Sequence, residues 1–135
     1  MKRILSIKYS TGSFNFAMLV LRVGLGVLML HHGYDKLVHF SGMKGNFTNF
    51  LGLGSTISLS LDIFAEFFCS VFLILGLFTR FAVIPILIAM SVALFKVHYG
   101  LLFGAGERAA IYLACCITIL FCGPGKISVD GMIGK

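Results

Sequence analysis

This sequence has no tryptophan and is short of the charges that a water-soluble surface requires. Only 12% of its 135 residues are charged, whereas a soluble globular domain carries about 25%. Hydrophobic residues reach 59%, and the mean hydropathy is +1.01. Because so few side chains can face water, we expect the exterior to face lipid. The composition therefore predicts an integral membrane protein.

Motifs for resident redox cofactors and metals are also missing. The chain holds no C-x-x-C pair and no haem, flavin or iron–sulfur motif, so electrons would have to come from a bound quinone or a partner protein. Its four cysteines fall in apolar runs, where a thiol is usually a small packing residue. Cys115 and Cys122 lie ~10 Å apart along one helix, too far for a disulfide. We predict no metal site, and a quinone is the cofactor left open.

The formal charge of +6 is spread along the chain. No basic cluster alternates with aromatic residues as in a groove for a phosphate backbone, so we expect no nucleic-acid partner. Most basic residues instead fall on one side of four predicted membrane spans, which is the positive-inside pattern. We therefore expect both termini in the cytoplasm. The residues on that side are Lys2, Arg3, Lys8, Arg80, Lys126 and Lys135.

Four apolar stretches predict four helical spans. Several are shorter than the ~20 residues that cross a bilayer unaided. Almost nothing separates the second from the third, and the short glycine-rich residues 100–106 connect the third to the fourth, so consecutive spans should run antiparallel. The predicted spans are residues 14–37, 57–78, 80–98 and 107–122.

The last helix should end at Gly123-Pro124-Gly125, because proline cannot continue a helix and glycine relaxes the turn. A polar tail, residues 123–135, follows. The predicted fold class is all-α, and the chain is expected to form a single transmembrane domain over residues 1–135. Its arrangement should be an integral membrane antiparallel four-helix bundle.

Ionisable residues interrupt the apolar stretches, and such residues mark a functional site by default because they are costly in lipid. In an antiparallel bundle Arg22 on the first span and Glu66 on the second come to a similar depth. We therefore expect them to form a buried ion pair. Asp62 lies one turn from Glu66 on the same face. The alternative, that these charges only fix the register of the helices, stays open.

Further polar residues converge on the half of the bundle away from the termini. His32 and Lys36 follow Arg22 along one face of the first span, His98 ends the third, and Glu107 begins the fourth. Histidine is suited to relay protons near neutral pH. We predict a polar pocket there. Its catalytic groups would be Glu66, His98 and Lys36, and its substrate-binding groups would be Arg22, His32, Asp62 and Glu107.

Short motifs along most of the chain resemble those of one family. In order they are Arg22-x-Gly24, His32-Gly33-x-x-Lys36, Glu66, Leu75-Gly76-x-x-Thr79-Arg80, His98, Gly106-Glu107, and Gly123-Pro124-Gly125 followed by Ser128-x-Asp130. Together they resemble the DoxX family of small four-helix bacterial membrane proteins. The resemblance implies the bacterial inner (plasma) membrane, and an association with thiosulfate:quinone oxidoreductase or with thiol-stress complexes.

One departure from the family pattern follows Glu66. Where the resemblance implies glycines, this chain has Phe67-Phe68-Cys69-Ser70. We expect this bulkier wall to narrow a pocket beside Glu66.

Three functions are consistent with the sequence, and the fold alone does not distinguish among them. The first is a quinone- or thiol-linked oxidoreductase subunit in contact with the lipid bilayer and with a soluble redox partner protein. The second is a non-catalytic scaffold that recruits such a partner through the tail. The third is a small-solute carrier or sensor. Whether the chain is itself an enzyme, and whether it forms an oligomer, stays open.

Overall fold

The computed structural model describes residues 4–45, 52, 54–97, 103–104 and 106–134. Those residues form helices and no strands. Two helices are short, Phe40–Met43 and Val129–Ile133. Four are long and are named first to fourth in chain order: Thr11–Val38, Ser55–Leu75, Thr79–Lys96 and Glu107–Cys122.

Two of the long helices contain a wider, π-helical turn. In the second helix this turn covers Phe64–Phe68, between α-helical stretches at Ser55–Ile63 and Cys69–Leu75. In the third it covers Ala93–Val97, after the α-helical stretch Thr79–Val92. Such turns occur frequently at functional sites.

The lengths of the helices fit a membrane protein. Within the described residues three helices are long and apolar enough to cross a bilayer, namely the first with 28 residues, the second with 21 and the third with 18. The fourth begins and ends at the predicted residues and has 16, about 24 Å of helix. Large side chains remain exposed on the outside; Phe81 and Phe121 are 76% and 78% exposed. These surfaces are suited to lipid contact.

Local interactions explain where the helices begin and end. The first begins at Thr11 because the Ser10 hydroxyl accepts a hydrogen bond from the Ser13 amide, as N-cap residues do. The second ends at Leu75, three residues earlier than predicted, because Gly76 adopts a left-handed conformation with φ +71°. Glycine adopts this conformation without strain and commonly ends helices.

The first helix packs closely against the second in an antiparallel direction. A Cβ atom added to Gly33 would lie 2.6 Å from the amide nitrogen of Phe67, and one added to Gly26 would lie 2.5 Å from the Ile74 side chain and 3.2 Å from the Ser70 carbonyl oxygen. The third helix contacts the second and the fourth, and the fourth returns to the first. The core between them includes Leu25, Met29, Leu73, Val83, Ile86, Cys116 and Ile119.

Contacts near the helix ends define two groups of ends. Asp130 contacts Gly76 and Thr79, and Arg80 contacts the Phe121 carbonyl, whereas Lys36 contacts Asp62. We call one group the terminal end; it carries Thr11, Leu75, Thr79 and Cys122. We call the other group the loop end; it carries Val38, Ser55, Lys96 and Glu107.

The predicted pair between Arg22 and Glu66 is wrong. The buried guanidinium of Arg22 donates hydrogen bonds to the carbonyl oxygens of Pro124, at 2.6 Å, and Ile127, at 2.8 Å. In the register of the two helices Gly33, and not Arg22, lies opposite Glu66, so the N-terminal part of the first helix extends past the end of the second helix. Arg22 therefore lies beside Gly76, where a Cβ atom would come within 3.1 Å of the guanidinium carbon. Glu66, on the second helix, lies beside a later part of the first helix, where it contacts Lys36.

The residues after the fourth helix close the terminal end. The Asp130 carboxylate accepts hydrogen bonds from the amides of Phe78, at 2.8 Å, and Thr79, at 2.9 Å, so it caps the start of the third helix. Its own amide donates to the Gly76 carbonyl at 2.9 Å. We call these contacts, together with those of Arg22, the terminal clamp. The described part of the tail is thus folded onto the helix ends.

The clamp also changes the acidity of Asp130. Partial burial alone would raise the pKa of this carboxyl, but the hydrogen bonds from the Thr79 and Phe78 amides and the nearby Arg22 charge outweigh it. The pKa is therefore lowered from its ordinary value of 3.8. Because the folded pKa is depressed, the stabilisation is complete above the ordinary value and is lost as the pH falls through the folded value.

We predict that Asp130→Asn lowers the thermal unfolding midpoint in detergent. The amide nitrogen of asparagine would meet one of the two backbone donors, which removes a cap that contributes about 1 kcal/mol. The variant should also lose part of the acid dependence of stability below the ordinary pKa of Asp130. Circular dichroism melts at several pH values measure both effects. The control is Asp35→Asn, which neutralises an exposed acid at the loop end. Equal melting curves for the two variants would contradict the role of Asp130 as the cap of the third helix.

Arg22→Gln should release the tail from the helix ends. A glutamine side chain is too short to reach the two carbonyl oxygens that the guanidinium bridges, so trypsin should cleave after exposed Lys126 several times faster than in the unaltered protein. Arg80→Gln is the matched control, since Arg80 is exposed and makes one long contact of 3.4 Å to the Phe121 carbonyl. Cleavage rates that rise equally in both variants would show that Arg22 does not hold the tail.

Candidate functional site

A lysine lies between two buried carboxylates near the loop end. The Lys36 ammonium contacts Asp62 Oδ2, and its distance to Glu66 Oε2 is 2.7 Å. The Asp62 and Glu66 side chains are 9% and 4% exposed, and the Lys36 side chain is 24% exposed. We call these three residues the acid–lysine cluster. All three were predicted from the sequence as site residues, but their pairing was not.

Two features of the helices bring the cluster together. Asp62 and Glu66 stand four residues apart on the second helix, while Lys36 lies in the last turn of the first. Glu66 belongs to the π-helical turn Phe64–Phe68. Gly33, one turn before Lys36, lets the first helix approach the backbone of Glu66 and Phe67. The lysine side chain can therefore reach both acids.

The charges of the cluster do not balance. Two ionised carboxylates and one ammonium leave one negative charge, and an uncompensated charge is costly away from water. Carboxyl groups that share a site relieve this cost by holding a proton between them or by attracting a cationic group. The cluster is therefore suited to take up and give back a proton.

A cavity of about 620 Å³ opens beside Glu66. This volume falls in the range of small-molecule pockets, roughly 300–1,000 Å³. The described part of its wall combines one histidine and three charged side chains with a larger apolar surface, as such pockets usually do. The polar residues are His32, Glu66, Glu107 and Arg108, and the others are Met29, Met90, Ala93, Gly104, Ala109, Ile111 and Tyr112.

Aromatic contacts hold His32 at the wall of this cavity. The imidazole of His32 lies edge-on to the Tyr112 ring, with 6.1 Å between centroids, and 6.0 Å from the ring of His31. His32 is half-buried, whereas His31 is exposed. Of these two histidines, His32 is therefore the one placed to exchange a proton with a bound molecule.

The structure brings together most of the predicted site. Glu66 belongs to both the acid–lysine cluster and the cavity, while His32 and Glu107 line the cavity. Arg22 lies at the terminal end, away from the site, and is bound by backbone carbonyls. His98 lies outside the described residues. The roles assigned to these residues remain predictions.

Two polar residues of the cavity wall, Arg108 and Tyr112, were not among the predicted site residues. They stand four residues apart on the fourth helix and therefore share a face. The sequence could have indicated them, because Glu107 was already a candidate and Arg108 and Tyr112 follow it on the same helix.

The aromatic residues after Glu66 do not narrow the cavity as expected. Neither Phe67 nor Phe68 is among the described residues that line it. Their rings contact each other with centroids 5.2 Å apart, and the Phe68 ring also approaches that of Phe64 at 6.3 Å. Phe64 and Phe68 are each about half exposed. The π-helical turn therefore directs this aromatic surface outward.

Thiols and metal ligands do not contribute to the described site. Cys69, Cys115, Cys116 and Cys122 are free thiols, and Cys69 and Cys116 are buried. None of them is among the described cavity residues. In the part of the chain that the structure describes, no group of three or more His, Cys, Asp or Glu side chains is arranged to hold a metal ion.

Comparison with known proteins gives one result. The family model of DoxX matches residues 17–99, which include most of the first long helix, the second and third long helices and all three residues of the acid–lysine cluster. Neither the curated proteins nor the solved structures contain a match.

We predict that Lys36→Met destabilises the protein strongly, by on the order of 3 kcal/mol, because it leaves two carboxylates buried without a cation. The triple variant Lys36→Met/Asp62→Asn/Glu66→Gln should regain most of this loss, since removing a whole buried ionic group is often neutral. Unfolding in detergent by denaturant measures both variants. A triple variant that is no more stable than Lys36→Met alone would contradict the pairing.

Proposed function

This chain belongs to the DoxX family, and we propose that it is the membrane subunit of a quinone-linked redox system. In this proposal the cavity beside Glu66 binds the quinone head group. The acid–lysine cluster supplies and accepts protons.

The proposal is carried by one observation: Glu66 is common to the acid–lysine cluster and to the cavity. Its carboxyl is nearly inaccessible to bulk water, yet it contacts the Lys36 ammonium and faces a space large enough for a ring. Quinone reduction consumes two protons with two electrons, so it requires a proton donor at the carbonyl oxygens. A buried carboxyl beside a lysine meets this requirement.

The other polar residues fit the remaining parts of the reaction. Arg108 and His32 would donate hydrogen bonds to the carbonyl oxygens, while Met29, Met90 and Tyr112 would contact the faces of the ring. We take the reductant to be a pair of thiols. Their oxidation forms one S–S bond and releases two electrons and two protons, which convert the quinone to the hydroquinone. A soluble partner protein would present these thiols.

The proposal includes an arrangement in the membrane. The four long helices would form an antiparallel four-helix bundle in the bacterial inner membrane, with both termini in the cytoplasm. The antiparallel packing of the first two helices supports this arrangement, as do the basic residues near the terminal end. The cavity would then open in the half of the bundle that faces away from the cytoplasm.

A scaffold function is the second candidate, and one feature of the tail favours it. Met132 and Ile133 are 70% and 73% exposed beside the terminal clamp. Two apolar side chains at this position could contact a redox partner without any chemistry in the cavity. Co-purification of a partner that persists in Glu66→Gln but is lost in Met132→Ser/Ile133→Ser would favour the scaffold.

We predict that the purified protein in lipid nanodiscs binds a short-chain ubiquinone analogue. Glu66→Gln and Arg108→Gln should each weaken binding about tenfold or more, because each removes a hydrogen bond that involves a charged group. Asp35→Asn is the matched control, as it neutralises an exposed acid at the same end. Equilibrium dialysis measures the dissociation constants.

Two results would count against the quinone. One is the absence of binding in the unaltered protein. The other is equal binding by Glu66→Gln, Arg108→Gln and Asp35→Asn. If no quinone binds, but proteoliposomes take up a small solute at a rate that depends on Glu66, the site belongs to a carrier.

A further inference from the structure

We infer that Gly33 is the positioning residue of the acid–lysine cluster: the absence of a side chain at this point of the first helix sets the distance between the Lys36 ammonium and the carboxylates of the second. The effect of Gly33 on this distance does not depend on the proposed function. Its consequence for proton exchange rests on the proposed function.

The contact at Gly33 is made with backbone, which cannot turn aside. A Cβ atom at this position would lie 2.6 Å from the Phe67 nitrogen, 2.7 Å from the Glu66 carbonyl carbon and 2.9 Å from the Phe67 Cα. Nonbonded atoms of these kinds settle ~3.5–4.0 Å apart. An alanine would therefore push the two helices apart by roughly 1 Å.

Both sides of this contact carry a member of the cluster. On the first helix Gly33 is three residues before Lys36, so the two residues lie on neighbouring turns of one face. On the second helix the contacted atoms belong to Glu66 itself and to the next residue. If the two helices move apart at Gly33, the 2.7 Å distance between the Lys36 ammonium and the Glu66 carboxylate therefore increases. An increase of that size takes the pair beyond ordinary hydrogen-bond length.

Two other glycines of the first helix show that this property is local. At Gly26 an added Cβ would lie 2.5 Å from the Cγ1 atom of Ile74, a flexible side chain that can move, and 3.2 Å from the backbone oxygen of Ser70. At Gly24 nothing lies within 4 Å. Among these three glycines, backbone atoms within 3.0 Å of the added Cβ are therefore found at Gly33 alone.

The test compares Gly33→Ala with Gly26→Ala and Gly24→Ala. Proteoliposomes are treated with a low concentration of acetic anhydride, and mass spectrometry measures the acetylation of Lys36 relative to exposed Lys44. We expect Gly33→Ala to raise the relative acetylation of Lys36 about fivefold, since the ammonium loses its close contact with the Glu66 carboxylate. The two control variants should leave it within twofold of the unaltered protein.

A rescue variant separates positioning from general loosening. In the Gly33→Ala background, Asp62→Glu lengthens one carboxylate by a methylene and should restore contact with the displaced ammonium. Relative acetylation of Lys36 should then fall back toward the unaltered value. Equal acetylation in all three glycine variants, or failure of Asp62→Glu to lower it, would overturn the inference.

If Gly33→Ala does not fold, a second experiment still tests the inference. The same substitution is then made in the background Lys36→Met/Asp62→Asn/Glu66→Gln, which has no charges to position. Recovery of folded protein there would support the inference, because the damage then comes from the separated charges. Failure in both backgrounds would overturn it and leave Gly33 a packing residue only.

Binding of the ubiquinone analogue distinguishes this inference from the proposed function. If Gly33→Ala changes Lys36 acetylation and weakens quinone binding, both stand. If acetylation changes while the unaltered protein binds no quinone, Gly33 is a positioning residue and the proposed function fails. If quinone binds and depends on Glu66 but acetylation does not respond to Gly33→Ala, the proposed function stands and the inference fails.

Discussion

The structure depends on one constraint: a charge inside a membrane helix must find its partner within the protein, because lipid offers none. Two solutions occur in the part of the chain that the structure describes. Arg22 is held by backbone carbonyl oxygens of the segment that follows the fourth helix. Lys36 is held by two carboxylates of the second helix. The first solution uses neutral groups and closes the terminal end, whereas the second leaves a net negative charge beside a cavity.

This difference assigns separate tasks to the two ends of the helices. At the terminal end Arg22 and Asp130 bind backbone groups: Arg22 donates to carbonyl oxygens of the tail, and Asp130 caps the third helix while its own amide binds Gly76. Such an arrangement fixes the helix ends. At the loop end charge remains, and the adjoining space is large enough for a small molecule. Chemistry is therefore best sought there.

Much of this could be predicted from the sequence, because helix length, apolar character and helical faces depend on nearby residues. The fourth helix and the members of the acid–lysine cluster were predicted in this way. The partner of Arg22 was not. It depends on the register between the first two helices, which the close contact at Gly33 helps set, and backbone carbonyls have no sequence signature. Arg108 was not predicted as a site residue, because a charge at a helix end is equally expected where a helix meets the lipid headgroups.

The residues after Glu66 show why that register matters. The family resemblance implied glycines at this part of the second helix, where the chain has two phenylalanines, and their bulk was expected to enter the pocket. Instead the π-helical turn directs the aromatic rings outward, and close approach is made by a glycine of the opposite helix. A close contact between two helices needs a missing side chain on only one of them. Gly33 can therefore hold Lys36 against Glu66 while the second helix keeps an aromatic surface.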